Sequence, residues 1–241
     1  MGRFALMVIS LIGVIVVNAL ANILPINNQT TGDISNRLPV LFKPAGYVFS
    51  IWIVIYVLLV IWLMGMWKKN KQRDASYQKQ SNLFVISCIL NIAWIYFWHY
   101  EQFLLTVVIM IGFLITLLIL YLSYPITDQH LLSRLPISIY LGWIFVATIV
   151  NISYVLTVYQ WDGWGLSDPL WAVIMMTIGT AVALHIRFHY FDVWVVYVFI
   201  WAYIGIIVHN GLDELLVSTA SLFLCAVMLV GIIFIKKRPT A

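Results

Sequence analysis

The sequence predicts an all-α integral membrane protein of eight transmembrane helices, and three observations carry that expectation. Of its 241 residues 63% are hydrophobic and only 9% charged, against about 25% charge in a soluble domain. So few charges cannot solvate a globular surface of this size. Eight apolar runs reach the roughly 20 residues a helix needs to cross the hydrocarbon core. Finally, 11 of the 13 Lys and Arg residues fall in alternate gaps between those runs, the pattern that membrane topology imposes. Runs such as Ala5 to Val17 and Leu104 to Leu120 do not alternate apolar with polar, so the spans are helices and not barrel strands. A soluble enzyme, a disordered tail and a disulfide scaffold are excluded.

The spans follow in order. The first, residues 5–24, comes after Arg3. Its triplet Ala19-Leu20-Ala21 resembles a signal-peptide cleavage site, but Asn18 and Asn22 interrupt the small-residue region, so the helix is expected to be retained. The second, 45–67, stops at Lys68 and Lys69; the third, 82–99, follows Lys79; the fourth, 102–122, follows Glu101. The fifth, 136–158, follows Arg134; the sixth, 169–186, lies between Asp168 and Arg187; the seventh, 191–209, ends at His209; the eighth, 215–235, ends at Lys236. Cations on one side are Arg3, Lys68, Lys69, Lys71, Arg73, Lys79, Arg134, Arg187, Lys236, Lys237 and Arg238. The other side holds Arg37 and Lys43 with Asp33, Glu101, Asp162, Asp168, Asp213 and Glu214. Positive-inside places both termini in the cytoplasm, with the chain in the cell membrane. An even number of spans requires the termini to agree. The connector 25–43 is long enough to serve as a lid or binding loop or to be a plain solvated link.

The same distribution rejects nucleic acid as the partner of a chain with net charge +4; the bilayer accounts for the cations. Cys88 and Cys225 sit inside apolar runs and read as buried free thiols. No span carries an ionisable group in its central third. A retinal Schiff base has no lysine to use, and a proton relay has no buried carboxylate or histidine. His185 and His189 share a helical face with Asp192 one turn on, spacing compatible with a metal but equally with interfacial anchoring. No metal site or cofactor is expected. Phosphate-binding loops and a Ser-His-Asp arrangement are absent from the sequence.

Aromatic and amide stripes are present instead. Trp67, Trp161, Trp164 and Trp171 flank span ends, as interfacial anchors do. Mid-span, Phe49, Trp52 and Tyr56 share one face of the second helix, and Asn91, Trp94 and Trp98 one face of the third. Trp143, Ala147 and Asn151 line one face of the fifth, and Trp194, Tyr197 and Trp201 one face of the seventh. An amide in hydrocarbon must find a partner. Asn91 and Asn151 are either interhelical ties or the polar edge of an indole-walled pocket for a flat apolar ligand.

The stretch Phe42-Lys43-Pro44-Ala45-Gly46-Tyr47-Val48-Phe49-Ser50-Ile51-Trp52 with Ile55-Tyr56 resembles the second-helix motif of the TspO/MBR family, the tryptophan-rich sensory proteins. Leu90-Asn91-Ile92-Ala93-Trp94 is similar to the family's L-N-x-x-W, and residues 140–151 to its helix 5 motif Y-L-x-W-x-x-F-A-x-x-L-N. The family's W-x-P-P gives way here to Ala45-Gly46-Tyr47, and no Lys or Arg completes a cholesterol-recognition pattern after Tyr159.

The resemblance implies a five-helix bundle over residues 1–165, followed by three further helices in 166–241 within one membrane domain, and a family that packs as homodimers. It implies a receptor or sensor that takes a porphyrin, haem or similar planar hydrophobic molecule into a cavity under the first external loop. Pro44 would stand at its mouth, with Phe49, Trp52, Tyr56, Asn91, Trp94, Trp143, Ala147 and Asn151 along its walls. A permease and a porphyrin-degrading enzyme are the rival readings. The Trp194–Tyr197–Trp201 stripe is expected to pack against the bundle.

Overall fold

A computed structural model describes residues 2–236; Lys237 and Arg238, counted above among the cations, lie outside them. The described residues fold into nine helices and no strand: α1 (Gly2–Ile23), α2 (Thr31–Asn36), α3 (Ile51–Lys71), α4 (Tyr77–His99), α5 (Phe103–Leu122), α6 (Arg134–Val158), α7 (Asp168–Tyr190), α8 (Trp194–Asn210) and α9 (Leu215–Phe234). Seven are long and apolar enough to cross a membrane, and α8 is an apolar helix of 17 residues, the short end of the spanning range. Outward faces are apolar: Ile9, Ile12 and Val16 on α1, Val108, Ile111 and Ile115 on α5, and Leu222, Phe223 and Phe234 on α9 are all exposed. Water-soluble monomers do not carry apolar surface on that scale.

Local chemistry sets the helix ends. α4 starts five residues before the expected span because its first turn, Tyr77 to Ser81, is polar helix standing outside the apolar run. α7 begins with Asp168 and a proline in its first turn and stops at Phe191, whose φ of +52° leaves the helical region. Asp192 then opens α8, its Oδ1 accepting from the amides of Trp194 at 2.9 Å and Val195 at 3.4 Å.

α6 is the central helix, packed on α3, α5, α7 and α8. It approaches α8 at Gly142, where a Cβ would stand 3.1 Å from the side chain of Val198. The main hydrophobic core joins α1 to α3–α9, and a smaller cluster gathers Ile34 of α2 with Val40, Trp98, Phe103, Tyr154 and Val155.

Two positions depart from the sequence reading. Arg134, placed there in a connector, is 1% exposed and pairs at 3.2 Å with Asp192, which is 0% exposed. The Asp192 carboxylate also accepts from Tyr121 Oη at 3.0 Å and Ser138 Oγ at 2.6 Å. The Arg134 guanidinium donates to Tyr121 Oη and to the carbonyls of Ile126 and Tyr190, and lies 4.3 Å over the Tyr121 ring. This cluster welds α5 and α6 to the start of α8. It also takes Asp192 away from His185 and His189, whose rings lie 4.3 Å apart; among the described residues no group of three metal-ligating side chains forms.

Candidate ligand cavity

Connector 25–43 is not irregular throughout. Thr30 Oγ1 accepts from the Asp33 amide at 3.1 Å while the Thr30 amide donates to Asp33 Oδ2 at 2.8 Å, a capping box that nucleates the six-residue α2. These hydrogen bonds hold the Asp33 carboxyl below its ordinary range. α2 is then fastened across the outer ends of two helices. Tyr154 Oη of α6 donates to the Ile34 carbonyl at 2.9 Å, and Thr31 Oγ1 faces His99 Nε2 at 3.4 Å. Arg37 and Glu101 form an ion pair at 3.0 Å, and Gln29 donates to the same carboxylate at 2.9 Å. Bonds from Gln29 and Arg37 hold the Glu101 carboxyl below its usual range. Lys43, buried, donates to the Ser35 carbonyl at 3.0 Å and Asn36 Oδ1 at 2.9 Å, and that burial lowers its pKa.

Beneath α2 lies a cavity of about 550 Å³ walled by α1, α3, α4, α5 and α6, a size within the roughly 300–1,000 Å³ of small-molecule sites. Seven residues singled out by motif and spacing line it: Phe49, Trp52, Tyr56, Asn91, Trp94, Trp143 and Ala147. Trp52 stacks on Tyr56 at 5.6 Å and meets Trp143 edge-on at 6.4 Å; Phe49 meets Trp143 edge-on at 5.6 Å. These contacts fix the ring faces, as quadrupoles favour. Ala147, one helical turn beyond Trp143, leaves space where a larger side chain would stand. No lining side chain carries a charge. Buried Tyr140 meets Trp52 and Phe113 edge-on, and Leu59, Trp62 and Leu117, further along α3 and α5, are buried as well.

Two of the nine residues are elsewhere. Pro44 is buried under α8, its Cβ 2.9 Å from where a Gly205 Cβ would stand, because Pro44 and Val48 dock on that helix while Gly46, between them, reaches the cavity. Asn151 donates from Nδ2 to Thr106 Oγ1 of α5 at 3.0 Å and is 3% exposed. It is an interhelical tie. The Trp194–Tyr197–Trp201 stripe stays outside the cavity: Tyr197 is exposed, and Trp201 Nε1 donates to the Val48 carbonyl at 3.1 Å.

Other wall residues were not anticipated. Asn18 of α1 donates to Asn91 Oδ1 at 2.8 Å, orienting that amide, and Met110 and Phe113 bring in α5. Asn22, Thr31, Ser35 and Asn36 give the mouth a polar rim. The signal for Asn18 was available: it is an amide in an apolar run, like Asn91.

Eight buried side-chain polar atoms lack a hydrogen-bond partner among the described residues, and three belong to this one cavity: Tyr56 Oη, Trp94 Nε1 and Trp143 Nε1. Each can donate, and each unmet donor costs about 1–3 kcal/mol. An apolar slot with three waiting donors is complementary to a flat apolar molecule carrying acceptor atoms.

No curated protein and no solved structure matches the chain. A family model does, and its match runs past the motif-bearing part of the chain through α7, α8 and all of α9. With residues 4–234 matched, the chain belongs to the family of TSPO-like proteins.

Proposed function

We propose that the protein is a membrane receptor or sensor that binds a planar, largely apolar molecule of the porphyrin or haem type in the cavity under α2. The observation that carries this reading is the set of three unpaired donors, Tyr56 Oη, Trp94 Nε1 and Trp143 Nε1, in one uncharged aromatic slot. The indoles offer ring faces to a flat guest, and the donors meet acceptors on its body or edge. Uncharged walls favour binding over flux, since a proton-coupled carrier relays through buried ionisable groups. The positive-inside rule puts both termini in the cytoplasm, so the cavity opens toward the opposite face of the cell membrane.

The test is a titration of protoporphyrin IX into detergent-solubilised protein, followed by quenching of tryptophan fluorescence. Saturable binding is expected, weaker in Asn91→Ala and Trp143→Phe. Protoporphyrin IX dimethyl ester should bind at least as well as the free acid, because no lining cation rewards its carboxylates. Absence of binding in the parent, or identical affinities in both variants, overturns the assignment. Steady loss of porphyrin absorbance in the light would reassign the cavity to degradation.

A further inference from the structure

A second cavity, of about 330 Å³, lies at the opposite end of the molecule, between the α5–α6 connector, the end of α7 and the end of α9. Its lining includes Arg187, Lys236, Thr127 and Gln129. Arg187 is 8% exposed, yet among the described residues no carboxylate lies within ion-pair distance of it. Its terminal nitrogens donate to the carbonyls of Phe191 at 3.0 Å, Ile232 at 3.1 Å and Ile235. A guanidinium has five N–H donors, so two remain, and one is the buried Nε, which has no partner.

Both acids near this pocket are committed elsewhere. Asp128, between Thr127 and Gln129, accepts from Ser133 Oγ and from the His130 amide at 3.4 Å. Asp192 is held by Arg134, Tyr121 and Ser138. Gln129 gives one amide hydrogen to the Phe191 carbonyl at 2.7 Å and keeps the other. A buried cation, an exposed one and neutral donors thus face one hollow, and among the described residues no free anion is supplied to it.

We propose that this pocket binds a phosphate anion, carried by an anionic phospholipid headgroup, with Arg187 and Lys236 supplying the charge and Thr127 and Gln129 the neutral donors. The two N–H groups that remain, one on Nε and one on Nη1, can each donate a charge-assisted hydrogen bond to a phosphate oxygen. A lipid is favoured over a free ion because the adjoining surface is apolar: Phe234 is 75% exposed and Phe188 59%, well placed for acyl chains. Basic pockets between membrane helices recognise headgroups in this way. Bound there, a lipid would join the ends of α7 and α9 to the α5–α6 connector.

The experiment follows thermal unfolding of the full chain in a neutral detergent by tryptophan fluorescence. Added dioleoylphosphatidylglycerol should raise the midpoint by several degrees, and dioleoylglycerol, which lacks the phosphate, should not. Lys236→Gln and Thr127→Val should each lose half or more of that shift. Lys71→Gln removes a cation from the same side but outside the pocket, and should keep it. Equal shifts in the pocket variants and Lys71→Gln, or equal effects of the two lipids, would overturn the site. A full shift with inorganic phosphate alone would overturn the lipid as its occupant.

Discussion

Gly205 of α8 lies directly under Val48, and the chain that enters α3 rests on it. The Ala45 amide donates to the Gly205 carbonyl at 3.0 Å, and a Cβ at Gly205 would overlap the Val48 side chain. Asn210, one turn and a half further along, donates to the Leu41 carbonyl at 3.0 Å. Helix α8 is thus the bench on which residues 41–48 are set, and Phe49 and Trp52 follow immediately into the cavity wall. Gly205→Leu should therefore displace this segment and weaken porphyrin binding tenfold or more, while Gly205→Ala does so less. Overpacking of this kind costs about 1–3 kcal/mol. Fluorescence titration of the two variants decides it; parent-like affinity in Gly205→Leu would show the segment free to move.

The Arg134–Asp192 pair should dominate the stability of the opposite end. Asp192→Asn leaves a guanidinium buried without its counter-charge, a change that costs about 3–5 kcal/mol where pairs are fully desolvated. A large fall in thermal midpoint is expected, even though the amide oxygen left at this position can still accept from the Trp194 amide at the start of α8. Replacing both partners by apolar residues, Arg134→Met with Asp192→Leu, should recover part of the loss. Equal midpoints for Asp192→Asn and the parent would rule out a structural weld.

Much of this was legible in the sequence, and the reasons for the failures are physical. Faces such as Phe49–Trp52–Tyr56 repeat with the helical period, and a repeated face in lipid has to meet another helix or a guest. What a polar residue does there is not periodic information. Asn91 and Asn151 are the same amide in the same kind of run, and each is tied to a neighbouring helix, by Asn18 and Thr106; only the hollow beside Asn91 makes it a wall as well. Asn18 was read for its effect on signal cleavage and so missed as a wall. The Thr30–Asp33 capping box is visible as spacing, yet a six-residue helix leaves too short a pattern to stand out. Pro44 and Asp192 were misplaced because their partners, Gly205 and Arg134, are distant in the chain.

Tyr56→Phe separates the guest's contribution from the protein's own. The Tyr56 hydroxyl is buried and unpaired, so deleting it should leave the empty protein as stable as the parent or more so. Binding should move the other way, weakening about fivefold to tenfold for a guest that supplies an acceptor, from a net hydrogen-bond worth of about 1–1.4 kcal/mol. Thermal unfolding without ligand and titration with protoporphyrin IX dimethyl ester give the two readouts. Loss of both together would mean that the hydroxyl is structural.

Retention of the guest should depend on pH through the clasp between Arg37 and Glu101. Hydrogen bonds from Gln29 and Arg37 hold the Glu101 carboxyl below its ordinary value of 4.5. A depressed carboxylate stabilises the fastened state at every pH above its unfolded value, and that contribution disappears as pH falls through the folded value. The clasp should therefore hold at neutral pH and loosen in the acid range below about 4.5. Both side chains are more than 40% exposed, so solvent screens the pair and its contribution is about 1 kcal/mol or less. Release of protoporphyrin IX dimethyl ester, which carries no carboxylates of its own to titrate, should accelerate about twofold to fivefold between pH 7 and pH 4. Arg37→Gln should release at the fast rate throughout. High salt should partly mimic acid, because it shortens the range of the attraction. Asp33→Asn controls for the other depressed carboxyl of α2: it should keep the acid acceleration if the Arg37–Glu101 clasp is its source, whereas acceleration that vanishes with Asp33 would transfer the switch to the α2 capping box.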